Sequence, residues 1–129
     1  GVLDGIAKSL PSLKRSQQIQ KRASRVGFDW PDTKGVFEKI KEETSELEEA
    51  IESLSRDQIE EEIGDLLMII TNLSQKQKID AESALRRANN KFIKRFNYIE
   101  EELKKNNTDF SRVDLQQLDS LWKDSKKLG

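Results

Sequence analysis

Residues 41–65 read KEETSELEEAIESLSRDQIEEEIGD and contain two pairs of carboxylates, each pair three residues apart. The pairs are Glu43 with Glu46 and Glu62 with Asp65. On a helix, side chains at this spacing lie side by side, where like charges repel each other. Two facing helices that each carry such a pair could hold a hard divalent cation, because Mg²⁺ prefers carboxylate and water oxygens. The stretch therefore predicts two acidic helices, and one interpretation places a metal site between them.

The apolar residues around these acids predict which side of each helix faces the core. On the first of the two helices, one narrow arc contains Ile40, Leu47, Ile51 and Leu54. Glu43 falls about 20° from the centre of that arc, and Glu46 lies at its edge. The matching arc of the next helix contains Ile59, Ile63, Leu66, Ile70 and Leu73. Glu62 lies at its border and Asp65 just beyond it. A buried carboxylate is costly unless it is paired or bound to metal.

Two explanations of these acids remain open at this point. Glu43 could pair with a Lys or Arg of another helix, which is the simpler explanation for one acid taken alone. Two such pairs on consecutive helices, each at the edge of a core face, give the metal site equal standing.

Composition excludes several classes of function. The net charge of −1 gives no reason to expect broad attraction to nucleic acid or membrane. The sequence contains no Cys, which excludes disulfides and thiolate zinc sites. It also contains no His, which excludes His-based acid–base chemistry and His-containing metal sites. No signal peptide or bilayer-spanning apolar run is visible, so a cytoplasmic location is expected.

The length of 129 residues suits one domain with a modest core, spanning residues 1–129. Charged residues make up 36% of the chain and hydrophobic residues 34%, which suits helices with wide solvated faces. Such a composition also suits an oligomer that completes its core with a partner, and we expect a homodimer. The start at Gly1 rather than Met is consistent with a piece of a longer chain.

The periodicity predicts an all-α bundle of four to five helices without a strand. A first helix follows Pro11 and stops at Gly27; the next three are expected at 34–54, 57–76 and 81–105. Ser55 or Asp57 and then Asp80 are the expected N-caps, and Asp114 with Gln117 resembles a capping box. Residues predicted to be buried are the run 66–70, then Leu85, Ala88, Phe92, Phe96, Ile99 and Leu103, and finally Leu115, Leu118, Leu121 and Trp122.

Several polar and aromatic residues are candidates for binding. Asn89 lies about 40° from the middle of the apolar arc of the fourth helix, so its amide needs partners. Lys91 and Arg95 are neighbours along one edge, where they could hold a polyphosphate or neutralise the acids of the other helices. Phe28 and Trp30 lie in a loop beside Pro31 and could form either a hydrophobic plug, which we favour, or a surface for a planar ligand.

These segments resemble the MazG family of nucleoside triphosphate pyrophosphohydrolases, within the all-α NTP pyrophosphatase superfamily. Residues 42–46 fit the pattern E-E-x-x-E, and residues 62–65 fit E-x-x-D. Residues 26–31 (VGFDWP) resemble the family's entry segment, and residues 84–92 (ALRRANNKF) its fourth-helix signature. The likeness covers nearly the whole chain and is strongest to the C-terminal, catalytic domain of the family's two-domain members.

The resemblance implies Mg²⁺-dependent hydrolysis of NTP to NMP and pyrophosphate, with Mn²⁺ able to substitute. Metal-activated water would attack the α-phosphorus, in the cleaning or control of nucleotide pools. By motif position, the metal ligands would be Glu43, Glu46, Glu62 and Asp65. Glu42 would be a supporting catalytic acid beside Glu43 and Glu46. The substrate-binding residues would be Asn89, Lys91, Arg95, Trp122, Lys126 and, with less support, Trp30.

A non-catalytic alternative is a helical interaction or regulatory module. Its acids would only pair with Lys and Arg, and it would bind Mg²⁺ no better than any acidic surface. A specific divalent-ion requirement that depends on Glu43 and Asp65 would separate the two.

Overall fold

Five α-helices and a short 3₁₀ turn form the computed structural model, which describes residues 1–128. The helices are α1 (Ser12–Arg25), α2 (Thr33–Ser53), α3 (Arg56–Lys76), α4 (Ala81–Lys105) and α5 (Leu115–Ser125), followed by the 3₁₀ turn Lys126–Leu128. No strand occurs within residues 1–128. The predicted all-α class is therefore confirmed. The bounds of α2 and α3 lie within one residue of the prediction, and those of α4 agree with it.

Side chains just before α3, α4 and α5 cap the first turns of these helices. The Ser55 hydroxyl caps α3 by accepting a hydrogen bond from a backbone N–H of its first turn. The Asp80 carboxylate accepts from the backbone N–H of Ser83 at 3.1 Å at the start of α4. Asp114 and Gln117 form the reciprocal capping box at α5, with N–H···O distances of 2.8 and 2.9 Å. Caps of this kind depend on local sequence alone, which is why the prediction located them.

The chain forms two compact units, Gly1–Ala84 and a second that begins at Leu85 within α4. In the first unit, α3 packs against both α2 and α1. The contact with α1 includes several hydrogen bonds. The Ser16 and Thr71 hydroxyls lie 2.9 Å apart, and Gln20 Nε2 donates to Thr71 Oγ1 at 2.6 Å. The polar seam orients α3 on α1 and leaves another side of α3 for α2.

The fully apolar core is small. Its buried hydrophobic residues are Val36, Ala50, Ile69, Ala81, Ile99 and Leu103. The prediction that the run 66–70 is buried is wrong for most of its members: Ile69 is buried, but Leu67 and Met68 are each 51% exposed and Ile70 is also exposed. The reason is that α1 and α2 cover only part of the circumference of α3. Ile63, Leu67 and Ile70, which lie three or four residues apart, therefore form an exposed apolar strip of α3 in the single chain.

In the second unit, aromatic rings connect α4 to the segments that follow it. The ring centroids of Phe92 and Trp122 lie 5.5 Å apart, and those of Phe96 and Phe110 lie 5.1 Å apart with nearly parallel planes. Ile99 and Leu103 are buried as predicted.

Other expected core positions of this unit are exposed, namely Leu85, Ala88, Asn89, Phe92, Phe96 and Leu115. The prediction of a buried Asn89 amide is therefore wrong. The aromatic ring contacts of α4 within its own unit begin at Phe92, about one turn after Asn89. Leu115 is exposed at the first position of α5, where the helix has just begun.

Every helix among the described residues is too short or too polar to cross a lipid bilayer.

Candidate functional site

A two-residue turn places the two acidic helices side by side. α2 ends at Ser53 and α3 begins at Arg56, so only Leu54 and Ser55 separate them. Leu54 has a φ of 58°, in the left-handed region that reverses the chain after a helix. At the other end of α2, the Asp32 carboxylate caps the helix by accepting from the backbone N–H of Gly35 at 3.0 Å. The result is a hairpin of two helices whose acidic motifs face each other.

The hairpin brings together all five acids predicted from the motifs. Carboxylate oxygens of Glu42, Glu43 and Glu46 all lie within 4.8 Å of one another. Oxygens of Glu43, Glu62 and Asp65 also lie within 4.8 Å of one another. Because Glu43 belongs to both groups, the two motifs form one acidic cluster. We use the term acidic cluster below for these five residues.

The acids of the cluster follow the predicted helical arcs, but the arcs are wrong for Ile51 and Leu54 of α2 and Ile63 of α3, which are exposed rather than packed inward. Glu43 is only 5% exposed, Glu46 and Glu62 are half-buried, and Glu42 and Asp65 are exposed. The Oε2 atoms of Glu43 and Glu62 are both buried, and neither has a hydrogen-bond partner among the described residues. Buried acceptors are normally satisfied, and oxygens of this type are the ligands that Mg²⁺ and Ca²⁺ prefer. The residues present therefore fit a divalent cation.

The basic partner of Glu43 comes from its own helix rather than from another one. Lys39 Nζ lies 3.2 Å from Glu43 Oε1 and 3.3 Å from Glu42 Oε1. These contacts, with Glu43 first and Glu42 second, raise the pKa of Lys39. Sequence reasoning missed Lys39, although its i,i+3 and i,i+4 spacing to the two acids was a visible signal.

The two facing helices influence each other's protonation through Glu43 and Glu62. Close contact with the Glu43 carboxylate is the largest of the effects that raise the pKa of Glu62 to about 7; burial and the charges of Glu46 and Glu43 add to it. Burial alone would raise the pKa of Glu43, but the contact with Glu62 and the pairing with Lys39 lower it below its usual value. At neutral pH, Glu43 is therefore ionised and Glu62 is close to half-protonated.

The basic and aromatic candidates of α4 and α5 lie in the second unit. The Arg95 guanidinium carbon lies 5.3 Å from the centroid of the Trp122 ring, a cation–π contact. Arg95 Nε is buried and has no hydrogen-bond partner within residues 1–128. Lys91 and Asn89 are exposed on α4, and Lys126 is exposed at the start of the 3₁₀ turn. Of these candidates, the structure brings Arg95 and Trp122 into direct contact.

The loop that contains Trp30 is held to α3 by polar contacts within the first unit. Asp29 accepts hydrogen bonds from Asn72 Nδ2 and Lys76 Nζ, both at 2.9 Å, and Lys76 also donates to the Trp30 carbonyl oxygen. Burial would raise the pKa of Asp29, but these hydrogen bonds lower it. No sequence signal indicated these contacts, because the paired residues lie more than forty positions apart.

The two loop aromatics differ in their surroundings. The Trp30 ring packs on α2, where a Cβ added to Gly35 would lie 3.1 Å from Trp30 Cδ1. Phe28 is 81% exposed and lines an open cavity of about 360 Å³ with Gly27, Asp29 and Trp30. The prediction of a hydrophobic plug formed by both rings is therefore wrong, since only Trp30 is packed.

Comparison with known proteins identifies the family. Residues 33–100, more than half of the chain, match the MazG nucleotide pyrophosphohydrolase domain. The chain is 44% identical over 117 residues to the nucleoside triphosphate pyrophosphohydrolase/pyrophosphatase MazG of Thermotoga maritima, covering 91% of this chain and 45% of that protein. It is 39% identical over 127 residues to the nucleoside triphosphate pyrophosphohydrolase of Escherichia coli, covering 97% of this chain and 48% of that protein. A Bacillus subtilis protein, the uncharacterized YabN, is 37% identical over 127 residues, which is 98% of this chain and 26% of that protein.

The chain thus spans about half the length, or less, of these relatives. Its acidic cluster lies within the matched region, on α2 and α3. On this match and these identities, the chain belongs to the MazG nucleotide pyrophosphohydrolase family.

Proposed function

We propose that this chain hydrolyses nucleoside triphosphates to nucleoside monophosphate and pyrophosphate with Mg²⁺ as the cofactor, for which Mn²⁺ can substitute. The observation that carries the proposal is the acidic cluster, whose two buried Oε2 atoms lack protein partners among the described residues. Membership of the MazG family supports the same reaction, and the relatives from T. maritima and E. coli carry its name.

In this proposal the metal ligands are Glu43 and Glu46 from α2 and Glu62 and Asp65 from α3. The chemistry that a divalent ion supplies when bound is activation of water and neutralisation of phosphate charge. The hairpin contributes a fixed array of oxygens, because each helix presents its two acids from one surface. Glu62 would bind the ion as a carboxylate, because metal ligands must be deprotonated.

The reaction itself is a displacement at the α-phosphorus. A water oxygen forms a bond to that phosphorus while the bond to the bridging oxygen of the β-phosphate breaks, and pyrophosphate leaves with the electron pair. The water proton passes to a carboxylate, for which we propose Glu42, since it is exposed at the edge of the cluster. The sequence contains neither His nor Cys, so direct attack by water is the economical route.

The remaining candidates would bind the substrate. Lys91 and Arg95 would offset the charge of the phosphates, with Arg95 held by its contact to Trp122. Asn89, Lys126 and Trp122 would also bind the substrate, and Trp30 would lie near the base. The carboxylates recognise metal and phosphate rather than the base, so we propose broad base specificity.

We also propose a homodimer in the cytoplasm. The exposed apolar strip on α3 supports the dimer, because large exposed apolar patches commonly mark protein–protein contacts.

The first test is release of pyrophosphate from a panel of NTPs and dNTPs, with and without Mg²⁺. Metal-dependent formation of NMP and pyrophosphate is the expected result. Orthophosphate as the product would place the cleavage at another bond, and no turnover of any nucleotide by folded protein would favour the interaction module.

Substitution of single ligands tests the site assignment. Glu46→Ala and Asp65→Ala should each lower turnover by about 100-fold or more, because even outer-sphere partners of metal ligands cost 10–100-fold. Circular dichroism should show unchanged helicity, since both side chains are only partly buried or exposed. Glu49→Ala removes an exposed acid of the same helix and should retain activity. Full activity in either ligand variant would refute the assignment.

A further inference from the structure

Lys39 is distinguished by the burial of its partner. The Glu43 side chain that it contacts is only 7% exposed, whereas the Lys39 side chain itself is 34% exposed. Another Lys–acid pair with the same i,i+4 spacing, Lys123 with Asp119, is exposed on both sides at 70% and 57%. Exposed pairs of that kind contribute little. Lys39 instead reaches from the surface to a buried carboxylate.

The two carboxylate oxygens of Glu43 have different surroundings. Lys39 Nζ lies 3.2 Å from Oε1, while Oε2 is buried and without a hydrogen-bond partner in the described part of the chain. Glu62 has a buried and unpartnered Oε2 of its own, and its carboxylate lies beside that of Glu43. The ammonium group thus takes one lone-pair side of Glu43 and leaves the other side open within the acidic cluster.

We infer that Lys39 is a positioning residue, which holds Glu43 by Oε1 so that Oε2 is presented to a divalent cation. The inference rests on the proposed function, because it assumes that Glu43 is a metal ligand. Carboxylate ligands are commonly oriented by a second group that hydrogen-bonds the oxygen not used for the metal. Lys39 also contacts Glu42 at 3.3 Å, so the same ammonium restrains the carboxylate proposed to accept the proton.

The sign of the effect on metal affinity separates this role from simple electrostatics. Removing a positive charge next to a cation site would by itself strengthen cation binding, since like charges repel. Removing the group that orients a ligand weakens binding, and changes of this kind cost about 10–100-fold. Lys39→Met keeps the length of the aliphatic stem and removes only the ammonium, so it tests the two effects against each other.

The experiment is a titration of Mn²⁺ into metal-free protein without nucleotide, followed by electron paramagnetic resonance and repeated with Mg²⁺ by calorimetry. Wild type, Glu43→Gln, Lys39→Met, Lys39→Arg and Lys41→Met are compared. Lys41→Met is the matched control. It also removes one positive charge, but from an exposed side chain two residues after Lys39. Thermal melts verify that every variant is folded.

The expected result is that Lys39→Met weakens binding by about 10-fold or more. Lys41→Met should leave binding unchanged or slightly tighter, and Lys39→Arg should retain most of the affinity. Suppose that wild type binds metal and that Glu43→Gln weakens this binding. Tighter or unchanged metal binding by folded Lys39→Met would then overturn the role of Lys39 and leave the metal site standing. If wild type and Glu43→Gln bind metal equally, the metal site itself fails, and the inference about Lys39 fails with it.

Discussion

Glu62 determines how the acidic cluster responds to pH when no metal is bound. Its pKa in the folded protein is raised to about 7, above the usual 4.5, so the folded state retains a proton that the unfolded state has lost. Between these two values the folded state binds more protons than the unfolded state, and stability falls as pH rises. The contribution is fully present below about pH 4.5 and is lost as pH rises through about 7.

Glu62→Gln should therefore remove part of this pH dependence. With a chelator present, the variant should melt at a higher temperature than wild type near pH 8, because the amide cannot ionise. The difference should shrink toward about pH 5, where wild type is protonated. Melting curves across this range check the prediction, with Glu61→Gln, an exposed neighbour, as the control. Parallel pH profiles for wild type and Glu62→Gln would contradict it.

Single residues were predictable where one helix sets their surroundings. Glu43 is buried and Glu46 is half-buried, as the helical arc of α2 predicted. Asn89 is exposed despite its place in an apolar arc, because an arc shows which side could be covered and not what covers it. The pairing of Asp29 with Lys76 joins a loop to the end of α3, and no local pattern encodes such a distant contact.

Individual helices were predictable to within a residue or two because their caps are local. The relation between helices depends on other residues, and Gln17 is the clearest case. This buried α1 side chain donates through Nε2 to the Ile79 carbonyl and accepts at Oε1 from the Ala81 N–H, both at 2.7 Å. One amide thus connects α1 to the turn between α3 and α4. Nothing in the spacing of α1 separates it from Gln18, which is exposed.

Gln17→Leu should destabilise the fold, whereas Gln18→Leu should not. The substitution leaves the buried Ala81 N–H without its partner, and an unsatisfied buried donor costs about 1–3 kcal/mol. Denaturant unfolding followed by circular dichroism measures the difference. Equal unfolding free energies for the two variants would show that the amide does not fasten the helices.

At the scale of the molecule, the open question is what covers the apolar strip of α3. The strip consists of Ile63, Leu67 and Ile70, which are 44%, 51% and 44% exposed. The composition predicted a core completed by a second copy. The sequence could not specify which side of α3 remains open, because the pattern of the run 66–70 is apolar all round and only packing against α1 and α2 decides it.

Wild-type protein should therefore be a dimer at micromolar concentration, and Leu67→Glu should shift it toward monomer. A carboxylate at this position would be desolvated in an apolar interface without a partner. Light scattering measures the mass of each form. Gln77→Glu, which adds the same charge at an exposed position just after α3, should remain a dimer. A wild-type mass equal to that of a single chain would refute the dimer.

The two-residue turn between α2 and α3 also has a consequence for the order of folding. Both halves of the acidic cluster belong to helices that are adjacent in sequence, so bringing them together closes a short loop. Contacts between such neighbours form faster than contacts between distant segments. Repulsion among the carboxylates opposes the assembly of this hairpin. The residues that suit the cluster to a cation thus oppose the step that the topology makes fastest.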